Sequence, residues 1–174
     1  VPSLLILRHG EAGHSFSGDD HSRTLTSRGQ EQSRQIGSWL SDSGLLPDAT
    51  MCSDAMRARQ TCIWVNEQLG EKAPTAYLDD RLYLAAPREM LSVINETPET
   101  VQALLVVAHM PGVQEVSMEL ASVRSEEEPV IRMAGSWPTA GIAHLQFDKP
   151  WAELDGRDAR LVAFHVPGAQ MPGA

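Results

Sequence analysis

The sequence is short of three things, and each shortage narrows what it can be. Its 174 residues include two cysteines, Cys52 and Cys62, whose spacing matches no zinc or redox motif. A disulfide scaffold is thereby excluded, and such sparse thiol usage suits a reducing cytoplasm, where the protein is expected to reside. Positive charge is also scarce: 14 Lys and Arg stand against 23 Asp and Glu, for a net charge of −9. That balance excludes a broad grip on nucleic acid or on an anionic membrane, so an anionic substrate needs a local cationic pocket. Long apolar runs are missing too, since no stretch approaches the ~20 residues of a membrane span.

No internal repeat, linker or second composition interrupts the chain, and 42% hydrophobic residues over this length suit one domain with a sizeable core. The expected division is a single domain over residues 1–166 and a flexible Pro/Gly-rich tail over 167–174. The predicted core accounts for the apolar content, so a monomer is expected.

Two short apolar runs organise the rest. Leu4-Leu5-Ile6-Leu7 has no helical periodicity and suits a strand buried on both faces. It ends abruptly in Arg8-His9-Gly10. The second run, Leu104-Leu105-Val106-Val107-Ala108, ends in His109-Met110-Pro111. Between them, residues 13–23 read as an exposed loop, and Leu25-Thr26 opens a helix to about Leu40 with Thr26 as its cap. Gly29, Ser33, Ile36, Gly37 and Leu40 share one face of that helix. A strand ending at Cys52 leads straight into a helix capped by Ser53 or Asp54, with Ala55, Ala58, Cys62, Val65 and Leu69 as its inner stripe. Residues 75–78 suggest a strand, and Pro87 the first turn of a helix carrying Met90, Leu91 and Ile94 inward. A helix with Val113, Val116 and Leu120 follows Pro111, and residues 126–128 read as a solvated acidic loop. Residues 141–147 alternate as a strand, with Ala143, Leu145 and Phe147 on one side, and 160–166 form a last strand. Strands alternating with helices imply an α/β fold, a three-layer sandwich with a largely parallel central sheet flanked by helices.

Chemistry gathers at three strand ends: Arg8-His9, Arg57 in the first turn after Cys52, and His109. Side chains just beyond the carboxyl ends of neighbouring parallel strands converge on one rim. Two guanidiniums and the helix N-termini near Ser53 and Pro111 would neutralise most of a phosphoryl dianion there. Gly10 would let the backbone turn and an anion approach. Arg59, about 200° further around its helix than Arg57, is assigned to solvent.

With these residues in view, the sequence resembles the histidine phosphatase superfamily, the phosphoglycerate-mutase-like clan. The resemblance rests on Leu7-Arg8-His9-Gly10-Glu11-Ala12, on Ser53-Asp54-Ala55-Met56-Arg57-Ala58-Arg59-Gln60-Thr61, and on Val106-Val107-Ala108-His109-Met110-Pro111. Further stretches, Arg23-Thr24-Leu25-Thr26-Ser27-Arg28-Gly29, Arg81-Leu82-Tyr83 and Ala140-Gly141-Ile142-Ala143-His144-Leu145, look like its small SixA-type phosphohistidine phosphatases. The resemblance implies His9 as nucleophile, with Arg8, Arg57 and His109 holding the phosphoryl oxygens and Gly10 beside them. It implies no metal or organic cofactor. The substrate would be phosphohistidine on a protein, as in signal transduction. Relatives carry a glutamate as general acid where this chain reads Leu82-Tyr83-Leu84-Ala85. Leaving groups that need less help, such as imidazole, are therefore expected.

Lower in the ranking stand Glu11, Ser15, Ser136 and Thr139 as residues of a substrate rim. Asp79, Asp80 and Glu89 are read as surface carboxylates or caps, and His14, Asp19, Asp20 and His21 as solvated loop residues rather than metal ligands. A cysteine-phosphatase loop needs Cys-x5-Arg, and Cys52 and Arg57 stand one residue too close for it. Two alternatives remain: a phosphomonoesterase for a small metabolite or nucleotide phosphate, and a non-catalytic module that binds phosphate or phosphoprotein.

Overall fold

The computed structural model describes residues 1–168. Its centre is a six-stranded sheet: β1 (Ser3–Arg8), β2 (Ala49–Cys52), β3 (Ala76–Leu78), β4 (Ala103–Ala108), β5 (Ile142–Gln146) and β6 (Arg160–His165). Their spatial order is β3-β2-β4-β1-β5-β6. The first four in that order run parallel, and β5 and β6 add an antiparallel edge. The helices are α1 (Ser27–Asp42), α2 (Met56–Leu69), α3 (Pro87–Asn95), α4 (Gly112–Leu120) and α5 (Glu127–Gly135).

The missing periodicity of the first apolar run has a direct cause. Leu4 and Ile6 enter one core with residues of α3, α4 and α5, whereas Leu5 and Leu7 enter another with α1 and α2. All four are fully buried, and each contributes about 1.5–3 kcal/mol by leaving water. β4 does the same with Leu104 and Val106 on one side and Leu105 and Val107 on the other. Two strands buried on both faces thus lie side by side at the middle of the sheet, and their carboxyl ends share one rim.

Capping and packing fix the helices against this sheet. Thr26 accepts the Gly29 amide at 3.0 Å, as its position before α1 predicts. The expected small-residue face of α1 is buried throughout. For α2 the structure corrects the expectation: its N-cap is Ala55, and Ser53 lies two residues further out, with its hydroxyl accepting the Ala55 amide at 3.2 Å. Residues 126–128 are exposed as expected, yet Glu127 and Glu128 form the first turn of α5 and not a loop. Acidic residues favour a helix N-terminus, and Glu128 pairs with Arg132 one turn on. With Met133 the one fully buried residue of this helix, apolar periodicity gave no signal. The tail expected from Pro167 also begins differently. Pro167 is buried and the Gly168 amide donates to Gln35; the rest of that stretch, 169–174, lies outside the described residues.

Candidate active site

The backbone brings the three motif ends together. The His9 amide donates to the Ala108 carbonyl at 3.1 Å, and the Ser53 amide donates to Val107 at 3.0 Å. The ends of β2, β4 and β1 are therefore stitched in register, and the His9 and His109 rings stand 5.1 Å apart. Arg57, in the first turn of α2, is buried, and its Nε–H points at His9 Nε2 at 3.3 Å. Of the sequence-derived residues, His9, Arg57 and His109 thus meet directly. Arg8 lies alongside, its Nη1 donating to the Trp137 carbonyl at 2.7 Å.

Each histidine is set in a defined state. His9 Nδ1 lies 2.7 Å from the Gly10 carbonyl, which can only accept, so Nδ1 carries the proton and Nε2 keeps its lone pair. Burial pushes its pKa down to about 4; the Gly10 carbonyl opposes this, and the neighbouring Arg57 and Arg8 charges add to it. His109 is pushed to about 3, by burial first and then by His9 and Arg57. Its Nε2 lies 2.7 Å from the Ser53 hydroxyl. That hydroxyl accepts the Ala55 amide and has one proton to give. Given to His109 Nε2, it places the His109 proton on Nδ1. That atom and Arg8 Nε are buried without a hydrogen-bond partner among the described residues. Buried orphan donors are costly, and an anion with several acceptor oxygens satisfies them.

Gly10 departs from its expected part. Its amide donates to the Thr61 hydroxyl at 3.0 Å and is not aimed at an anion. A Cβ here would meet the Gly29 carbonyl oxygen at 2.6 Å. Close packing on α1, not room for a ligand, is what requires glycine at this position.

The four rim candidates make scaffold contacts. The Glu11 amide and the Thr139 hydroxyl both reach the Gln32 side-chain oxygen, at 2.9 and 3.1 Å. The Glu11 carboxylate accepts from Thr26 and Arg28 at the start of α1. Ser15 bonds within its own loop, to the Asp19 carbonyl. Ser136 ends α5, next to Trp137.

Sequence reasoning passed over Asp20, Tyr83, Ser53 and Trp137. Asp20 opens a short helical turn (Asp20–Ser22), and its carboxylate accepts from Arg57, Arg23 and Tyr83. Those donors, Tyr83 foremost, hold its carboxyl far below the usual range. Its neighbour His21 is engaged with Asp54 at 2.9 Å. The sequence alone reads Asp20 as a solvated loop residue, because no spacing rule links it to Arg57, 37 positions on. Ser53 was legible only as a cap, and the Trp137 contribution is a main-chain carbonyl, which carries no side-chain signature. Asp79 is buried and caps the turn at Asp80–Leu82 while pairing with Arg81, in keeping with its structural reading.

Comparisons with known proteins fall in line with this geometry. A model of the histidine phosphatase superfamily (branch 1) matches residues 4–83. An uncharacterised protein of Mycobacterium tuberculosis (strain ATCC 25618 / H37Rv), Rv1276c, is 37% identical over 162 residues, 92% of this chain and 99% of that protein. The phosphohistidine phosphatase SixA of Escherichia coli (strain K12) is 29% identical over 148 residues, 84% of this chain and 86% of that protein. The solved structure of a candidate phosphohistidine phosphatase SixA from Nakamurella multipartitia superposes with a TM-score of 0.85 at 26% identity, covering 97% of each chain. Fold, motif order and relatives agree: the chain belongs to the histidine phosphatase superfamily, in its SixA-like branch, and is a phosphatase acting on phosphorylated substrates.

Proposed function

We propose that this phosphatase works through a phosphohistidine intermediate on His9, and that its substrate is phosphohistidine borne on a protein. The observation that carries the reading is the state of His9: neutral, its proton on the Gly10 side, its unprotonated Nε2 facing the Arg57 Nε–H. That lone pair attacks phosphorus. Arg57, Arg8 and the Nδ1–H of His109 then take the three equatorial oxygens, where charge builds as the transition state forms. Water later displaces His9 and releases phosphate. None of these steps needs a metal or an organic cofactor.

Support for a protein-borne nitrogen leaving group comes from the acid that an alkoxide would need. Where relatives place a glutamate, this chain reads Leu82-Tyr83-Leu84-Ala85, which contains no carboxylate. The carboxylate beside Arg57, Asp20, is held ionised and has no proton to give. The E. coli relative at 29% identity is itself a phosphohistidine phosphatase. Among the described residues no helix is long and apolar enough to cross a membrane. Both cysteines are free thiols, in keeping with a cytoplasmic protein acting in signal transduction.

The test compares wild type and His9→Ala, in EDTA, on a phosphohistidine carrier protein and on a panel of alkyl phosphates. Wild type is expected to release phosphate from the carrier and little from the alkyl esters, and His9→Ala to release none. Fast hydrolysis of alkyl esters would move the assignment to a metabolite phosphatase. Full activity of His9→Ala would end the mechanism.

A further inference from the structure

Asp20 is placed where a phosphatase has least obvious use for it. One Arg57 guanidinium separates it from the nucleophile: Nε–H faces His9 Nε2 at 3.3 Å, while Nη2 donates to Asp20 Oδ2 at 3.1 Å and Nη1 to the Asp20 carbonyl at 2.8 Å. The Arg57 side chain is 4% exposed, whereas that of Asp20 is 45% exposed. The carboxylate therefore borders the phosphoryl position on its solvent side. With His9 as the buried nucleophile, in-line transfer puts the leaving group on that side too. A fixed negative charge there opposes a phosphoryl dianion and a developing alkoxide alike. It favours one thing, a leaving group that arrives cationic.

The carboxylate also keeps room for a further donor. An ionised carboxylate offers about four acceptor positions. Oδ2 takes Arg57 and the Tyr83 hydroxyl (2.5 Å), and Oδ1 takes Arg23 at 3.1 Å. One position on Oδ1 remains. Tyr83, whose proton is spent on Asp20, braces the carboxylate and does not serve as an acid.

We propose that Asp20 is the leaving-group contact that selects for N-linked phosphoryl donors: its Oδ1 accepts the distal N–H of a phosphoimidazolium. This inference rests on the phosphohistidine reading and adds to it the residue that sets the preference. In the transfer step the His9 Nε2 lone pair forms the new N–P bond. The substrate's N–P bond breaks, and its electron pair returns to the ring nitrogen. The ring enters as imidazolium and departs as neutral imidazole, keeping its distal proton on Asp20, so no proton donor is consumed. His9, retaining its Nδ1 proton on the Gly10 carbonyl, becomes the phosphoimidazolium in turn. Attack by water returns it to neutral imidazole and releases dihydrogen phosphate.

The experiment measures kcat/KM for phosphoimidazole and for p-nitrophenyl phosphate with wild type, Asp20→Asn and Asp20→Ala, with a thermal melt of each. The readout is the ratio between the two substrates. In both variants the preference for phosphoimidazole is expected to fall by about tenfold or more, the scale of one charge-assisted hydrogen bond. Equal losses on the two substrates would mean that Asp20 only steadies Arg57, and would overturn the proposal, as would an unchanged ratio. Wild type that cleaves the aryl ester but not phosphoimidazole would overturn the phosphohistidine reading itself, and this inference with it. Asp20 lies in a partly exposed turn outside both cores, and the asparagine variant removes only the charge whereas the alanine variant removes the acceptor oxygens as well, so one failed fold does not leave the question open.

Discussion

Lowering the pH puts the state of His9 to a direct test. An ordinary histidine with a pKa of about 6.5 is about 90% protonated at pH 5.5, whereas one with a pKa of about 4 is about 3% protonated. Holding the ring neutral across that interval corresponds to about 3 kcal/mol against charging it. The structure assigns this first to burial, at 8% exposure, and then to the Arg57 and Arg8 charges, with the Gly10 carbonyl pulling the other way. Following the imidazole nitrogens by NMR from pH 7.5 to 3.5 should show His9 and His109 neutral with Nδ1 protonated, titrating near 4 and near 3. The same groups act on stability. Both are depressed in the folded state, so the unfolded chain binds more protons below pH 6.5. Stability is then full above that pH and falls by about 1.4 kcal/mol per pH unit for each ring as the pH drops towards its folded value. A His9 midpoint near 6.5, or a melting temperature indifferent to pH between 6.5 and 5, would refute the account of a buried, neutral nucleophile.

Other perturbations separate the remaining contributions. Arg57→Ala removes the donor nearest the attacking nitrogen and should lower kcat by at least ~10²-fold on any substrate; a loss under threefold would place the charge stabilisation elsewhere. Ser53→Ala frees the His109 tautomer and costs about 0.5–1.5 kcal/mol, up to about tenfold in kcat, while the Nδ1 proton signal of His109 weakens. Gly10→Ala puts a Cβ 2.6 Å from the Gly29 carbonyl and should destabilise by about 1–3 kcal/mol, read as a lower melting temperature. An unshifted melt would show that the loop and α1 part without cost.

What the sequence disclosed depended on how local the cause was. β1 and β4 were readable because burial on both faces leaves an unbroken apolar run, and their ends could be expected to meet because parallel neighbours finish on one rim. Arg57 was readable by its place in the first turn after a strand. Asp20 and Tyr83 were not, since what joins them is a tertiary contact spanning 63 positions with no periodicity of its own. Residues 127–135 hid for the opposite reason: the helix stands on acidic residues in its first turn and a Glu128–Arg132 pair, with little buried apolar surface, and those leave no stripe to find. At Gly10 the residue type is legible and its reason is not, because steric pressure from a helix that begins 17 residues later is invisible in the tripeptide.

The close approach of Gly10 and Gly29 has a consequence for motion. A Cβ on Gly29 would fall 2.1 Å from the Glu11 carbonyl oxygen, as one on Gly10 would crowd the Gly29 carbonyl. The two backbones interlock, so the nucleophile loop has no independent freedom: it opens only when the first turn of α1 lifts. Amide exchange at Gly10 and at the start of α1 should then proceed as a single cooperative event. His9 does not search for its attacking position in each turnover; it inherits it from the docking of a helix.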